Sequence, residues 1–175
     1  MSIKVGRLMG VPVQIHITWF AGFFLLTYII AQSLYISLLS SIAIGSLIVA
    51  LLYACIIAHE CAHAFAARRC GVKTSAIILS AIGGEAVLSR NATCWADELR
   101  IASVGPIINA LFALVFAMFV PVFAQSILLT NILLFLASSN ALLAIINIIP
   151  GFPLDGGRVL RAILWGATGN RSKAA

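Results

Sequence analysis

Three residues near the middle of the chain, His59, Glu60 and His63, carry the pattern H-E-x-x-H inside Ala54–Gly71, ACIIAHECAHAFAARRCG. Positions four apart share one face of an α-helix, so the two imidazoles can grip one cation. Zn²⁺ takes neutral imidazole nitrogens and leaves room for a water, and a neighbouring glutamate can accept that water's proton. The pattern closes a long apolar run. Ionisable groups in a hydrocarbon-length segment are costly and mark function, which separates this pair from satisfied core histidines.

Two histidines leave a catalytic zinc short of a third protein ligand. The candidates are Asp155, Glu85, Asp97, Glu98 and His16. Asp155 is favoured because it sits in N-I-I-P-G-F-P-L-D-G-G-R, Asn147 to Arg158, whose prolines and glycines cannot propagate a regular helix. Irregular backbone at membrane depth lines a cavity. In that cavity Glu60 would act as general base and then as proton donor to a leaving amine. Asn147 would orient substrate or stabilise an oxyanion.

The elements that must position these groups read as membrane spans. Of 175 residues, 62% are hydrophobic and 9% charged, and mean hydropathy is +1.12. A soluble domain of that composition would expose too little charge to stay dispersed. The expected fold is an all-α polytopic membrane protein, one domain over residues 1–175. About four transmembrane helices, near Ile17–Ser37, Ile42–Ala67, Leu99–Phe123 and Ile127–Ile149, are joined by a partial fifth, Val159–Gly166. Short membrane-associated strands accompany them. Val11, Val13 and Ile15 alternate with more polar neighbours, and Val72–Ser80 and Ala86–Leu88 flank a Gly83-Gly84 turn signal. Pro106 is expected to kink the third span, and Asn109 to bond across helices or line a cavity. Met1–Gly10 is basic and no small-residue cleavage site follows, so the first span is read as uncleaved. The four cysteines show no C-x-x-C spacing and read as small packing residues.

Charge placement gives an orientation. Lys4, Arg7, Arg68, Arg69, Lys73, Arg90, Arg100, Arg158 and Arg161 fall on one side of the drawn spans, and the turns near Ser37–Ser41 and Pro121–Asn131 carry none. The positive-inside rule makes the charged side cytoplasmic, and both H-E-x-x-H and Asp155 arrive there. A nucleic-acid surface would need clustered Lys and Arg with exposed aromatics, which this chain lacks. A metal transporter should show internal repeats or polar residues along a whole crossing path, and here they gather at one end. A non-proteolytic scaffold would have no need of Glu60.

Together, H-E-x-x-H in a membrane helix, Gly83-Gly84, Gly105-Pro106-x-x-Asn109 and Asn147-x-x-Pro150-x-x-Pro153-Leu154-Asp155-Gly156-Gly157-Arg158 resemble the site-2 protease family of intramembrane zinc metalloproteases. The resemblance runs from about Lys4 to Trp165. It implies Zn²⁺ held by His59, His63 and Asp155, with Glu60 as catalytic base. It also implies substrates that are transmembrane segments of other proteins, such as membrane-tethered regulators, and a regulatory membrane partner. Cys61-Ala62 stands where Leu-Gly is commoner in that family, and Glu85 where an apolar residue is usual.

Overall fold

In this computed structural model, residues 2–171 are described. The chain opens with a hairpin, β1 (Ser2–Leu8) and β2 (Val11–His16). Its two-residue turn places Met9 and Gly10 at positive φ, 54° and 84°, the geometry whose twist matches antiparallel strands. Helices α1 (Thr18–Ser33) and α2 (Leu38–Arg69) follow. Next come β3 (Thr74–Ser80) and β4 (Gly83–Leu88), then α3 (Trp95–Phe119), a 3₁₀ turn at Pro121–Phe123, α4 (Ile127–Ile148) and α5 (Asp155–Thr168).

The four strands form one sheet in chain order. The expected hairpin is thus half of a larger element. β2 runs parallel to β3, with Val13 opposite Ile77 and Ile15 opposite Leu79. Helices α1 and α2 form the crossover that a parallel pair requires. β4 returns antiparallel, with Leu79 opposite Gly84 and Ile78 opposite Glu85. Gly83 and Gly84 lie in β4 itself, so the reversal falls one step earlier, at Ala81 and Ile82. The reason is contact: Gly84 is needed for the close approach of its backbone to α2 described below.

Three helices are long and apolar enough to cross a bilayer: α2, α3 with its 3₁₀ extension, and α4. The expected first span, Ile17–Ser37, stops at Ser33, because Leu34 is extended and Ser37 already caps α2 by accepting from the Ser40 N–H. The sixteen residues of α1 rise about 24 Å, short of the ~30 Å hydrocarbon core for an untilted helix. α3 runs unbroken through Pro106.

α2 is the shared wall. Ile30, Ile48, Val49, Tyr53 and Leu136 join α1, α2 and α4, with Trp19 and Phe23 packed against them. Ile57, Cys61 and Ala64, on one stripe of α2, pack on Val13, Ile77 and Leu79 of the sheet. The Tyr53 hydroxyl donates to the Ala81 carbonyl at 3.2 Å and so ties the β3–β4 turn to the same helix. α1 and α2 cross at Gly45, where an added Cβ would lie 3.1 Å from the Thr27 carbonyl oxygen. Small residues at such crossings let helix backbones meet without a hydrophobic driving force. Gly45→Leu should therefore destabilise the bundle by about 1–3 kcal/mol, read as a lowered thermal midpoint in detergent; an unchanged midpoint would mean the crossing is free to splay.

Candidate metal centre and active site

His59 and His63 lie on the stripe of α2 that faces α3 and α5, and both are buried. Asp155, the first residue of α5, reaches them from the far end of the chain. His59 Nε2 and His63 Nε2 are 3.0 Å apart, and Asp155 Oδ2 lies 3.2 Å from the first and 3.0 Å from the second. Among the described residues this is the one group of three His, Cys, Asp or Glu side chains whose donor atoms all lie within 4.8 Å of one another.

The donors fit a zinc ion on three counts. His63 Nδ1 bonds the Ile101 carbonyl at 2.7 Å, which makes Nδ1 the proton-bearing nitrogen and turns the Nε2 lone pair toward the cluster. Asp155 lies outside the three long helices. Burial raises its pKa, but where the imidazoles carry a proton on Nε2, the hydrogen bonds with His59 and His63 and the attraction of those positive rings outweigh burial and lower it to about 2, as a cation between the same atoms also would in direction. It is therefore a carboxylate at neutral pH. Two nitrogens and one carboxylate oxygen are a donor set typical of catalytic zinc, with a position left for water.

Glycines set the approach distances. At Gly105 of α3, a Cβ would overlap Nε2 of both histidines. At Gly84 it would sit 2.7 Å from Glu60 Cγ, so β4 can lie directly on the glutamate only because residue 84 lacks a side chain. The Ala86 backbone amide also faces the Glu60 carboxylate. Gly156 abuts the carbonyls of Ile148 and Ile149, and Gly157 the backbone of Gly151. The Gly-Gly pair thus lets α5 start tucked beneath the end of α4. Sequence reasoning placed Asp155 within an irregular loop; the loop is Ile149–Leu154, and Asp155 begins the helix after it.

Glu60, Asn109 and Asn147 line a cavity of about 420 Å³ bordered by β4 and by Pro153. A smaller one of about 190 Å³ adjoins His59, His63 and Asp155. Asn147 Nδ2 donates to the Leu143 carbonyl at 2.9 Å in its own helix, and its second N–H remains for another partner. Asn109 is 1% exposed and its Oδ1 has no protein partner. A buried amide oxygen left open beside a cavity is a polar anchor there, the cavity-lining alternative foreseen for it.

The other ligand candidates stay outside the cluster, although Glu85 borders both cavities. His16 ends β2 and bonds the Thr18 hydroxyl at 2.8 Å. Glu85 is exposed on β4. Asp97 pairs with Arg100 at 3.4 Å, and Glu98 with Arg161. All four cysteines are free thiols, and Cys61 faces the sheet on the opposite stripe of α2. Gly105 stands in the Gly105-Pro106-x-x-Asn109 motif, but nothing local in the sequence tells that residue 105 meets the histidines.

Residues 47–127 and 122–175 match the model of peptidase family M50. The chain belongs to this family, the site-2 proteases. It is 33% identical over 163 residues to a zinc metalloprotease of Methanocaldococcus jannaschii, a match covering 93% of this chain and 45% of that protein. A solved site-2 protease from the same organism superposes with a TM-score of 0.72 at 31% identity, covering 95% of this chain and 73% of the other. The chain thus spans about half the length of the curated relatives it matches. Those curated relatives are named as zinc metalloproteases, and His59, His63 and Asp155 could hold such an ion here. Gly105→Ala should lower zinc per chain sharply without unfolding the helices, whereas Gly84→Ala, whose methyl meets Glu60 instead, should leave it unchanged; metal analysis of the purified variants reads both. Equal zinc in wild type and both variants would place the metal elsewhere.

Proposed function

We propose that the chain is the core of an intramembrane metalloendopeptidase that hydrolyses peptide bonds within or near transmembrane segments of other membrane proteins. The observation that carries this reading is the meeting of His59, His63 and Asp155 donors within 3.0–3.2 Å beside a buried glutamate and an edge strand. His59, His63 and Asp155 are the metal ligands, and Glu60 and Asn147 the catalytic residues. When bound, zinc polarises the scissile carbonyl and makes water a nucleophile near neutral pH.

The chain's own groups then have separate tasks. Glu60 takes the proton of the attacking water and returns it to the departing amine. Asn147, and Asn109 beside it, offer amide groups to the substrate backbone in the 420 Å³ cavity. A helical peptide bond is shielded by its own hydrogen bonds, so a substrate helix must unwind before attack. β4 ends the sheet, and its free edge offers an unwound segment a row of backbone partners alongside Glu60. The close fit of Gly84 on Glu60 sets the substrate strand and the base in one register.

The wider reading follows from the same placement. α1 with its flanking residues, in a locally thinned bilayer, serves as a fourth span, and the site lies toward the cytoplasmic, basic end of an integral multi-pass protein. Residues 1–175 act as one domain in the lipid bilayer, with a transmembrane protein as substrate and a regulatory membrane protein as further partner. Glu60→Gln should keep zinc at the wild-type level and lower cleavage of a reconstituted transmembrane substrate by about 10²–10⁴-fold. Cleavage undiminished in that variant would remove Glu60 from the chemistry.

A further inference from the structure

One buried ion pair is not used by the chemistry above. Glu98, in the first turn of α3, is 1% exposed. Its Oε1 accepts from Arg161 Nε at 3.1 Å and is also held by Nη2 of the same guanidinium. Arg161 lies on α5 six residues after Asp155, about 9 Å along the helix. The guanidinium also sits over the Phe152 ring, with Cζ 5.0 Å from its centroid. Phe152 belongs to the loop that delivers Asp155. One cation therefore holds both α5 and the loop before it to the base of α3, the helix whose Ile101 and Gly105 frame the histidines.

The other contacts of α5 with its surroundings are apolar: Ala162 is fully buried, and Gly166 lies against the Trp95 ring of α3. Among the described residues, Asp155 and Arg161 are the α5 side chains hydrogen-bonded to another helix. The remainder of the α5 contact near Asp155 is close backbone packing through Gly156 and Gly157, which have no side chain to lock rotation. Arg158, one turn after Asp155, forms no ion pair among the described residues. Apolar packing on α3 seats α5 but fixes its rotation weakly, so without a directional tie the helix could turn on that seat and carry the carboxylate off the histidines.

We propose that Glu98 and Arg161 are positioning residues that hold Asp155 in place as a metal ligand through α5 and the Phe152 loop. The proposal rests on the metal-site reading above and extends it. Neither residue touches metal or substrate. Each acts through Asp155, as outer partners orient a metal's ligands. Two arginine nitrogens on one carboxylate oxygen and an aromatic face suit guanidinium, and an ammonium cannot reproduce them.

The test compares wild type, Glu98→Gln and Arg161→Lys, each purified in detergent. Zinc affinity is measured by competition with a chelator. Hydrogen exchange of residues 149–157 and of α2 is followed in the metal-free proteins. The expected result is zinc binding weakened about tenfold or more in Glu98→Gln and less in Arg161→Lys, with exchange faster in 149–157 and unchanged in α2. Wild-type affinity in Glu98→Gln would overturn the proposal. So would faster exchange spread equally over α2, which would make the pair a general brace. A wild type that binds no zinc would sink the metal-site reading instead, and the exchange of 149–157 would still decide whether the pair holds the loop. Should Glu98→Gln fail to fold, Arg161→Lys carries the same comparison.

Discussion

The whole arrangement depends on the cost of placing charge where water is scarce. The chain has five acidic residues, and three of them, Glu60, Glu98 and Asp155, point inward. Each then needs a partner, because a bare buried carboxylate would cost far more than the few kcal/mol by which a fold is stable. Asp155 meets two imidazoles, Glu98 meets Arg161, and Glu60 faces the Ala86 amide and the cavity. Each partner lies on a different element from the acid it answers. Satisfying these charges therefore fixes the packing order of α2, α3, α5 and β4 more narrowly than lipid-like side chains could. Leucine against leucine in a bilayer specifies little; a carboxylate that must reach two given nitrogens specifies a great deal.

Small residues make those meetings possible. Gly84, Gly105, Gly156 and Gly157 each stand where a Cβ would strike a functional side chain or a backbone carbonyl. The same feature recurs away from the site at Gly45, where it serves helix crossing alone. Close approach is thus a general device of this bundle, applied most densely around the cluster. It also accounts for the shortness of the irregular stretch before Asp155. Once two glycines allow α5 to start beneath α4, six residues suffice to turn the chain.

Much of this could be read from the amino-acid sequence, and the parts that could not share a cause. H-E-x-x-H reports its own geometry, since helical spacing alone puts His59 and His63 together. Asp155 was legible because the prolines and glycines around it break a helix in an apolar setting, and broken backbone at that depth needs a cavity to face. The extent of the sheet was not legible: β1 is exposed along its whole length, β2 is short and half-buried, and the pairing of β2 with β3 spans more than sixty residues. Nor was the end of α1, which Ser37 decides by capping the next helix rather than by any polar break. Nothing in the sequence separates Glu98 from Asp97, its neighbour in the same first turn. Only the return of α5 buries one of these neighbours and leaves the other outside.

α2 joins the two halves of the proposed chemistry, and its two faces keep them in step. Ile56, His59, Glu60 and His63 line the cavity side, while Ile57, Cys61 and Ala64 carry the sheet. A rigid helix cannot move one stripe without the other. Any shift of the sheet relative to the histidines would have to break the packing of Ile77 and Leu79, both nearly inaccessible to solvent, as well as the Tyr53 bond to the β-turn. The base, two of the metal-binding side chains and the strand edge that would receive a substrate are consequently parts of one unit. Asp155 is the remaining piece, supplied by a short helix that packs on α3 and, among the described residues, makes few hydrogen bonds to other helices. The fold thus concentrates its adjustable element at the third ligand, and there Arg161 and Glu98 add the constraint that α2 provides for everything else.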